Sequence, residues 1–414
     1  MYHRLLVQVF AGLLLLVFIV TSSNVAKGAV SKERADALGK SLTPFGSIKQ
    51  GNKDNTIPAW KGGGVPPGLK DEKPLFVINA TNKHLYQSYL SKGIQALFEY
   101  YPDSFELLIY PSHRTEKMPN WVYENTIKNA TQTRLIDDGD GIENAWAGLP
   151  FPIPNSGKEA LWNHNSRYTG GYARTEVTSV AVFNKNKVVI ARSHLEMAFP
   201  YYNKERGSTI GDLKNLYVKT KDLYPASQVG SALLVYEGVN LKQTPRQAWA
   251  YSTNERRVRR VPYFGYDTPV GNSYGMRVTD EVDLFNGKLD RYEWHLKEQK
   301  ELFIPYNNTR LKQKYSSMTD LVMDHHINPA YPRYEKHRVW VLEATLKPSF
   351  KHVYKKRVFY IDEDTWAIVG ADLYNKNDQL WRVSLAYLTH FPQLPATWQV
   401  MFVYHDLLKS TYFI

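Results

Sequence analysis

One short segment concentrates side chains that could bind a metal ion or transfer a proton. Asp324, His325 and His326 are consecutive, and Glu335 and His337 follow closely. We expect this segment to be helical as far as His325, and adjacent residues of a helix point about 100° apart. Two adjacent histidines therefore rarely bind the same metal ion, and we predict no metal site here.

The motifs of several common enzyme classes are missing from the sequence. It contains no H-E-x-x-H, no G-x-x-x-x-G-K-[ST] and no intact G-x-G-x-x-G, and we expect no nucleophile elbow. The acidic run 362–364 lies between two predicted strands, so we interpret it as a turn and not as a pair of catalytic carboxylates. We predict a protein that is not an enzyme and uses no cofactor. A hydrolase is the third hypothesis, which an alanine change at His325 or His326 would test.

Three other polar features are also interpreted as structural. The glycines at 62–64 precede Val-Pro-Pro, where a phosphate-binding loop would need the start of a helix. The acidic residues Asp137, Asp138, Asp140 and Glu143 do not align with a calcium loop, and we expect a solvated turn. His164 has no ligand partner three or four residues away, so we expect a packed histidine.

The composition is that of a basic globular protein without cysteine. The chain has 414 residues, with 52 Lys and Arg against 40 Asp and Glu, and it has no Cys. The absence of Cys excludes disulfides, thiolate metal sites and a lipid-modified N-terminal cysteine. The 29 Tyr, 17 Phe and 10 Trp favour a sheet protein, because aromatic residues are enriched in strands.

The first 28 residues have the pattern of a signal peptide. A basic start through Arg4 precedes an apolar run from Leu5 to Val20, followed by small and polar residues. We predict cleavage near Gly28 or Ala29, and a soluble periplasmic protein that is not a lipoprotein. An uncleaved anchor is the alternative, but the run is shorter than the roughly 20 residues that span a bilayer.

The strongest local charge is a run of arginines, Arg256, Arg257, Arg259 and Arg260, interrupted by Val258. In an extended chain, positions 256, 258 and 260 share one side, and positions 257 and 259 share the other. An anionic head group, an acidic partner surface and pairing with Asp or Glu of this chain all remain open. Export argues against nucleic acid as the partner.

The elements divide into an N-terminal part of arm and helices and a C-terminal part of strands. We expect a signal peptide over 1–28, an extended arm over 29–70, a mixed helical segment over 71–170 and an antiparallel sheet over 171–414. From about Tyr172 the apolar period changes to two, and about eleven strands follow. Helical interruptions are predicted near 210–222 and 318–325. So many hairpin-linked strands indicate one large antiparallel sheet, curved or nearly closed.

Alternation along these strands defines an aromatic apolar face. Its candidate ligand-lining residues are Trp249, Tyr251, Tyr292, Trp294, Trp340, Leu342 and Trp381. Such a face must be covered by helices, by closure of the sheet or by a ligand. Coverage by helices and a true lipophilic cavity both remain open.

Many short motifs together resemble a family of Gram-negative bacteria, domain-of-unknown-function family 1329 (DUF1329). The motifs span nearly all of the predicted mature chain: Leu42-Thr43-Pro44-Phe45-Gly46, Ile57-Pro58-Ala59-Trp60, Gly148-Leu149-Pro150-Phe151-Pro152, Trp162-Asn163-His164, Arg256-Arg257-Val258-Arg259-Arg260, Phe285-Asn286-Gly287, Ile304-Pro305-Tyr306-Asn307 and His337-Arg338-Val339-Trp340. Members of that family commonly continue past the position of Ile414, so we expect a shortened C-terminus.

The resemblance implies a fold and a function. The family looks like a relative of the lipoprotein-sorting proteins LolA and LolB, which implies an α+β, mainly β fold: a curved antiparallel half-barrel with N-terminal and inserted helices as a lid. It further implies a periplasmic carrier of a lipid or other hydrophobic molecule, working with an RND-type exporter of the inner membrane or with an outer-membrane partner. The alternative is an envelope assembly factor that acts through the basic surface.

Overall fold

The computed structural model describes residues 29–206, 214–261, 265–313 and 318–414. The predicted signal peptide lies outside these ranges. Six α-helices are described, α1 to α6: Lys32–Ala35, Lys92–Tyr100, Asn120–Gln132, Gly157–Ser166, Thr309–Gln313 and Met318–Leu321. No helix of the described ranges is long and apolar enough to cross a membrane.

Strands β1 to β17 make up most of the regular structure in these ranges. They are Phe76–Ile78, Leu107–Ile109, Arg134–Ile136, Gly141–Glu143, Tyr172–Asn184, Lys187–Ala198, Lys214–Tyr224, Ala232–Gly238, Gln247–Ser252, Arg257–Val261, Tyr292–Pro305, Tyr334–Leu346, Lys356–Asp362, Ile368–Tyr374, Leu380–Phe391, Ala396–Asp406 and Thr411–Phe413.

All but β3 and β4 belong to one sheet that does not close on itself. Its order is β1-β2-β12-β13-β14-β15-β16-β17-β5-β6-β7-β8-β9-β10, and β11 also pairs with β12. The pairings are antiparallel except for a single contact between β2 and β12. The predicted fold class is therefore confirmed: a mainly β protein built on one large sheet with few helices.

Cross-strand register assigns every side chain to one of two faces, because residues directly opposite each other point to the same side. One continuous row of opposed residues crosses eight strands from β11 to β5: Leu296, Leu342, Phe359, Ala371, Ser384, Tyr404, Phe413 and Ala181. Helix α4 packs on this side, since Gly157 lies against Leu342 and Trp294. We call this side of the sheet the α4 face and the other side the α2 face.

The two faces are covered by different helices, each with a Ser N-cap. The sequence Ser-Gly-Lys-Glu at 156–159 predicts a capping box, and Ser156 Oγ accepts a hydrogen bond from Glu159 N, 3.3 Å away, as that motif requires. Ser91 Oγ accepts one from Ile94 N at 3.1 Å and begins α2. Helix α2 packs over β14 and β15, where Gly93 lies against Asp372 and Val383.

Several predicted elements differ from those observed. The helix expected near 210–222 is wrong in its described part, which is strand β7, because its residues alternate between the two faces in register with β8. Residues 278–285 before the Asn286-Gly287 turn signal also read as one of the predicted strands, but they form a 3₁₀ turn at Thr279–Leu284, kinked by positive φ at Asp283. The helix expected at 318–325 ends at Leu321.

We predict that Gly157→Ala destabilises the protein by about 1–3 kcal/mol through overpacking. An added Cβ would lie 2.5 Å from Leu342 Cδ1 and 3.1 Å from the Trp294 backbone. Urea unfolding followed by tryptophan fluorescence measures the change. Gly171→Ala is the control, because an added Cβ there meets no atom within 4 Å. Equal free energies for the two variants would contradict close packing of α4 on the sheet.

Asp372 supplies a pH-dependent contribution to stability. Burial raises the pKa of Asp372 to about 6, although Tyr360 and the backbone N–H groups of Gly93 and Lys92 donate hydrogen bonds to it. Because the folded protein favours the protonated acid, this contribution is complete below the unfolded pKa and is lost as pH rises through about 6.

We therefore predict that wild type loses about 3 kcal/mol of unfolding free energy relative to Asp372→Asn as pH rises from about 3 to about 8. Denaturant unfolding at a series of pH values measures this difference. Asp103→Asn, at an exposed position, serves as the control variant. Parallel pH profiles of wild type and Asp372→Asn would contradict the assignment.

Candidate ligand-binding face

Five of the seven predicted lining residues lie on the α4-face side, in one hydrophobic cluster. Tyr292, Trp294 and Leu342 are buried, and Trp340 and Trp381 are half-buried. Their polar atoms are used within the protein: Tyr292 Oη donates to Tyr354 O at 2.8 Å, and Trp294 Nε1 donates to Leu289 O at 2.9 Å. The Trp381 indole donates to Asp406 Oδ1 at 3.0 Å.

Helices cover this half of the sheet on both faces. On the α4 face, Gly157 of α4 lies in contact with Trp294 and Leu342. On the α2 face, the cavity between α2 and the sheet, lined by Ile94, Leu302 and Leu385, measures about 20 Å³. A cavity needs roughly 10–15 Å³ of such space to hold one water molecule, so this one has room for about one water and not for an acyl chain.

The other two predicted lining residues, Trp249 and Tyr251, lie on the α2 face. Trp249 is opposite Leu234, which is opposite Lys219, and this row is distinct from the rows of the α4 face. Ring contacts join Trp249 to Tyr236 at 5.2 Å and Tyr236 to Tyr217 at 4.7 Å between centroids. The expectation of a single aromatic lining is therefore not met, because strand register separates the seven residues between two faces.

The sheet continues beyond the helices as a wing, which we define as β7 to β10 with the adjoining halves of β5 and β6. On its α4 face, three rows of opposed residues cross these strands. We name them by their chemistry. The apolar row is Val261, Ala248, Val235, Val218, Met197 and Ala173; the mixed row is Arg259, Ala250, Leu233, Thr220, Leu195 and Thr175; and the polar row includes Arg257, Ser252, Asp222 and Ser193.

Ala248 of the apolar row is buried, and the other apolar side chains of the apolar and mixed rows are half-buried. Leu195, Met197, Val218, Leu233 and Val235 are half-buried, and none belongs to a hydrophobic cluster. In the other half of the sheet, the same face is buried beneath α4. The wing therefore presents a partly exposed apolar surface that lies outside the hydrophobic clusters of the described ranges.

The opposite face of the wing carries aromatic and charged side chains in place of aliphatic rows. Lys219 pairs with Glu196 at 3.5 Å, and Tyr172 Oη donates to Glu196 Oε2 at 3.2 Å. His194 lies 3.7 Å from Glu176 on the same face. Since aliphatic rows occupy only the α4 face, we take that face as the candidate ligand-binding face.

The arginine run divides between the faces as strand alternation predicts. Arg257 and Arg259 lie opposite Ser252 and Ala250 on the α4 face, whereas Arg260 lies opposite Trp249 on the α2 face. Arg256 is in the turn before β10, with a φ of 50°. Within the described ranges, only Arg259 of these four forms an ion pair, 2.9 Å from Glu255.

The histidine segment does not form a metal site. His325 stacks on Tyr101 at 4.9 Å between ring centroids, and His326 Nε2 lies 2.9 Å from Ser104 Oγ. The other ring nitrogen of His326 lies 2.9 Å from the Ile327 carbonyl, so the Ser–His pair has no carboxylate partner. No group of three metal-binding side chains occurs in the part of the chain that the structure describes.

We expected no nucleophile elbow, but the sequence does contain the motif of one. The residues at 271–275 read G-x-S-x-G, the sequence of such an elbow. Ser273 is fully buried, and its Oγ donates to the Val270 carbonyl at 2.6 Å. The described residues around it form turns, not the strand and helix that an elbow joins, so the geometry does not support a nucleophile.

The acidic turn at 137–143 is only partly solvated. Asp138 is exposed, but Asp140 is buried and accepts a hydrogen bond from Leu289 N at 2.8 Å. The prediction is therefore wrong for Asp140, because its carboxylate caps the backbone before β11. His164 is fully buried, with Nδ1 3.1 Å from Ile368 N, as expected for a packed histidine.

The run 362–364 forms the turn between β13 and β14, and it is deeply buried. Arg114 forms a two-point contact with Asp364, with Nη2 2.6 Å from Oδ1 and Nε 2.8 Å from Oδ2. Arg338 Nε donates to Glu363 Oε1 at 2.7 Å. Sequence reasoning did not identify Arg114 or Arg338, because neither lies in a motif that indicates a buried partner.

Burial and charge act against each other in this acidic turn. Burial raises the pKa of Glu363 and of Asp362, and the neighbouring Asp364 charge raises both further. Burial alone would also raise the pKa of Asp364, but Arg114 holds that pKa below its ordinary value. The arginines are thus needed to keep negative charge at this depth.

The same arginines attach the N-terminal arm to the sheet. Arg338 Nη2 donates to the carbonyls of Ile48 and Gln50, each at 2.9 Å, and Arg114 Nη2 donates to Ser47 Oγ at 3.1 Å. Trp366 Nε1, beside the turn, donates to Phe45 O at 2.9 Å. Because these polar groups are satisfied by the arm, the cluster is best explained as a structural attachment.

We predict that Arg338→Met lowers the free energy of unfolding by about 2–4 kcal/mol, because the buried Glu363 loses its shorter arginine contact and keeps Arg114 at 3.4 Å. Hydrogen exchange should also increase around residues 48–50, whose carbonyls lose their donor. The exposed Arg256 forms no ion pair among the described residues, so Arg256→Met should change stability by less than about 0.5 kcal/mol. An Arg338→Met protein as stable as wild type would contradict the attachment.

Comparisons with known proteins agree with the sequence motifs. The family model described as "Protein of unknown function (DUF1329)" matches residues 77–414. An uncharacterized protein of Pseudomonas aeruginosa is 39% identical over 402 residues, covering 93% of this chain and 87% of its own length.

Two solved structures are also similar. A DUF1329 family protein from Desulfovibrio piger has 16% identity and a TM-score of 0.38, covering 59% of this chain and 82% of its own. A putative outer membrane lipoprotein-sorting protein domain from Vibrio parahaemolyticus has 13% identity and a TM-score of 0.41, covering 62% of this chain and 87% of its own. The extent of the family match and the identity to the Pseudomonas protein place this chain in the DUF1329 family.

Proposed function

We propose that this protein binds a lipid or another hydrophobic molecule on the α4 face of the wing and carries it without chemical change. The observation that carries the proposal is the uncovered aliphatic surface formed by the apolar and mixed rows. Leu233 and Val235 of this surface are half-buried. In the other half of the sheet, the side chains of the same face are buried beneath α4. An apolar ligand would cover the wing as the helix covers the core.

The dimensions of the wing suit an extended acyl chain. The apolar row crosses six strands, or five intervals of about 4.8 Å, and so spans about 24 Å. Each methylene removed from water contributes about 0.8 kcal/mol. Because the face is an open surface, a bound chain stays partly exposed, and we expect its affinity to rise about two- to fourfold per methylene.

We also propose where and with what the protein acts. The signal-like first 28 residues and the absence of cysteine from the sequence support a soluble periplasmic carrier, cleaved near Gly28 or Ala29. A carrier needs a donor and an acceptor, and we propose an inner-membrane exporter or an outer-membrane protein in these roles. The family resemblance supports this part of the proposal.

An envelope assembly factor that acts through its basic surface is the second candidate. Arg256 and Arg260, which lie off the α4 face, form no ion pair within the described ranges and favour this alternative. Salt-sensitive binding of an envelope protein that depends on these two arginines, in the absence of lipid, would support it over the carrier.

The test is binding of neutral alkyl glucosides with eight, nine and ten carbons, below their micelle concentrations, measured by calorimetry. We expect wild-type affinity to increase with chain length and Leu233→Asn to lose at least about tenfold. Leu234→Asn is the matched control, because Leu234 is also half-buried and lies on the α2 face of the same strand. Thermal unfolding verifies that both variants fold.

Two results would reject the proposal. Wild-type protein that binds none of the glucosides would exclude a hydrophobic ligand of this type. An equal loss in the two leucine variants, with both folded, would place binding elsewhere than on the α4 face.

A further inference from the structure

We infer that the ligand is an amphiphile with an anionic phosphate or carboxylate head group, which Arg257 and Arg259 bind at one end of the wing. The inference rests on the proposed binding of a hydrophobic molecule to the α4 face and adds the chemical class of its head group. It depends on two independent observations, the order of the three rows and the unbalanced charge of β10.

The polarity of the α4 face changes in one direction along the strands. The apolar row has only apolar side chains, and the mixed row introduces Thr220 and Arg259. The polar row carries Arg257 and Ser252 on β10 and β9, and Asp222, Ser193 and Val177 on the strands farther from β10, where Ser193 Oγ donates a hydrogen bond to Asp222 at 2.9 Å. An apolar tail lying along the apolar and mixed rows would place its polar end at the edge strand β10, where the mixed row ends in Arg259 and the polar row in Arg257. The rows thus match the two parts of an amphiphile.

The positive charge at this end is poorly neutralised by the protein. Arg257 forms no ion pair within the described ranges, and Arg259 pairs only with Glu255, both side chains being largely exposed. Exposed pairs of this kind contribute little and are readily exchanged for another anion. Residues two apart on one strand face are about 6.6 Å apart, so both guanidinium groups can reach the oxygens of one head group.

Strand β11 also lies at an edge of the sheet, and its charged side chains are paired with opposite charges. On β11, Lys297 pairs with Glu343 at 3.2 Å and Lys300 pairs with Glu298 at 3.0 Å. Its charges therefore have both signs and neutralise each other. Strand β10 carries arginines without acidic residues of its own, and this imbalance fits an external anion better than edge protection alone.

The test compares three probes with the wild-type protein: dodecyl phosphate, dodecyl maltoside and inorganic phosphate. The two amphiphiles share a twelve-carbon chain and are used below their micelle concentrations. We expect dodecyl phosphate to bind at least about tenfold more tightly than the maltoside, with a ratio that falls as salt is added. We expect inorganic phosphate at equal concentration not to displace dodecyl phosphate.

Paired variants locate the head group. Arg257→Ala/Arg259→Ala should reduce the affinity ratio to about one, and it should do so by weakening dodecyl phosphate more than the maltoside, because the aliphatic side chains of both rows are retained. Arg256→Ala/Arg260→Ala is the matched control, which removes the same charge from the turn and the α2 face and should keep the ratio.

The outcomes separate this inference from the proposed function. Equal affinity for the two amphiphiles, or loss of the ratio only in the control pair, would overturn the head-group site and leave the carrier in place. Displacement by inorganic phosphate would identify a free-anion site, and binding to anionic vesicles but not to monomers would identify membrane docking; both would overturn the inference. If neither amphiphile binds, the proposed function fails as well.

Discussion

A large sheet must cover its apolar face, and this constraint organises the whole protein. In the half of the sheet from β11 to β17, side chains such as Trp294 and Leu342 are buried beneath α4, and the protein provides its own cover. In the wing the apolar side chains of the apolar and mixed rows on the same face, apart from the buried Ala248, are half-buried and belong to no hydrophobic cluster of the described ranges. The chain therefore combines a completed core with a surface suited to an apolar partner.

The buried charge cluster around the turn 362–364 attaches the N-terminal arm to the sheet. Burying Asp362, Glu363 and Asp364 without partners would be costly, and Arg114 and Arg338 offset that cost while also binding the arm backbone. Since the cluster depends on both the arm and the turn, it joins the N-terminal segment to the distant β13–β14 connection. Its ionisable groups serve attachment, although the same residue types in an open cleft would suggest catalysis.

Much of the fold could be predicted from the sequence, because strand alternation is a local property. The strands around Trp340, Ala371 and Val403 follow directly from their apolar period, and the capping box at Ser156 predicts the start of α4. The face of each strand relative to distant strands could not be predicted, because it depends on register. Alternation alone therefore could not show that Trp249 and Tyr251 lie on the opposite face from Trp294. The partners of the acidic turn were also inaccessible, since Arg114 is 250 residues from Asp364 in sequence.

Photolabelling shows whether a hydrophobic ligand binds the α4 face of the wing or the α2 face. A neutral dodecyl alcohol with a diazirine near the end of its chain is irradiated with the wild-type protein, and labelled residues are identified by mass spectrometry. We expect labels on the apolar and mixed rows, at Leu233, Val235 and Ala250. Excess unlabelled dodecanol should remove these labels. Competable labels confined to Leu234, Tyr236 and Trp249 on the α2 face, or no competable label at all, would contradict binding to the α4 face.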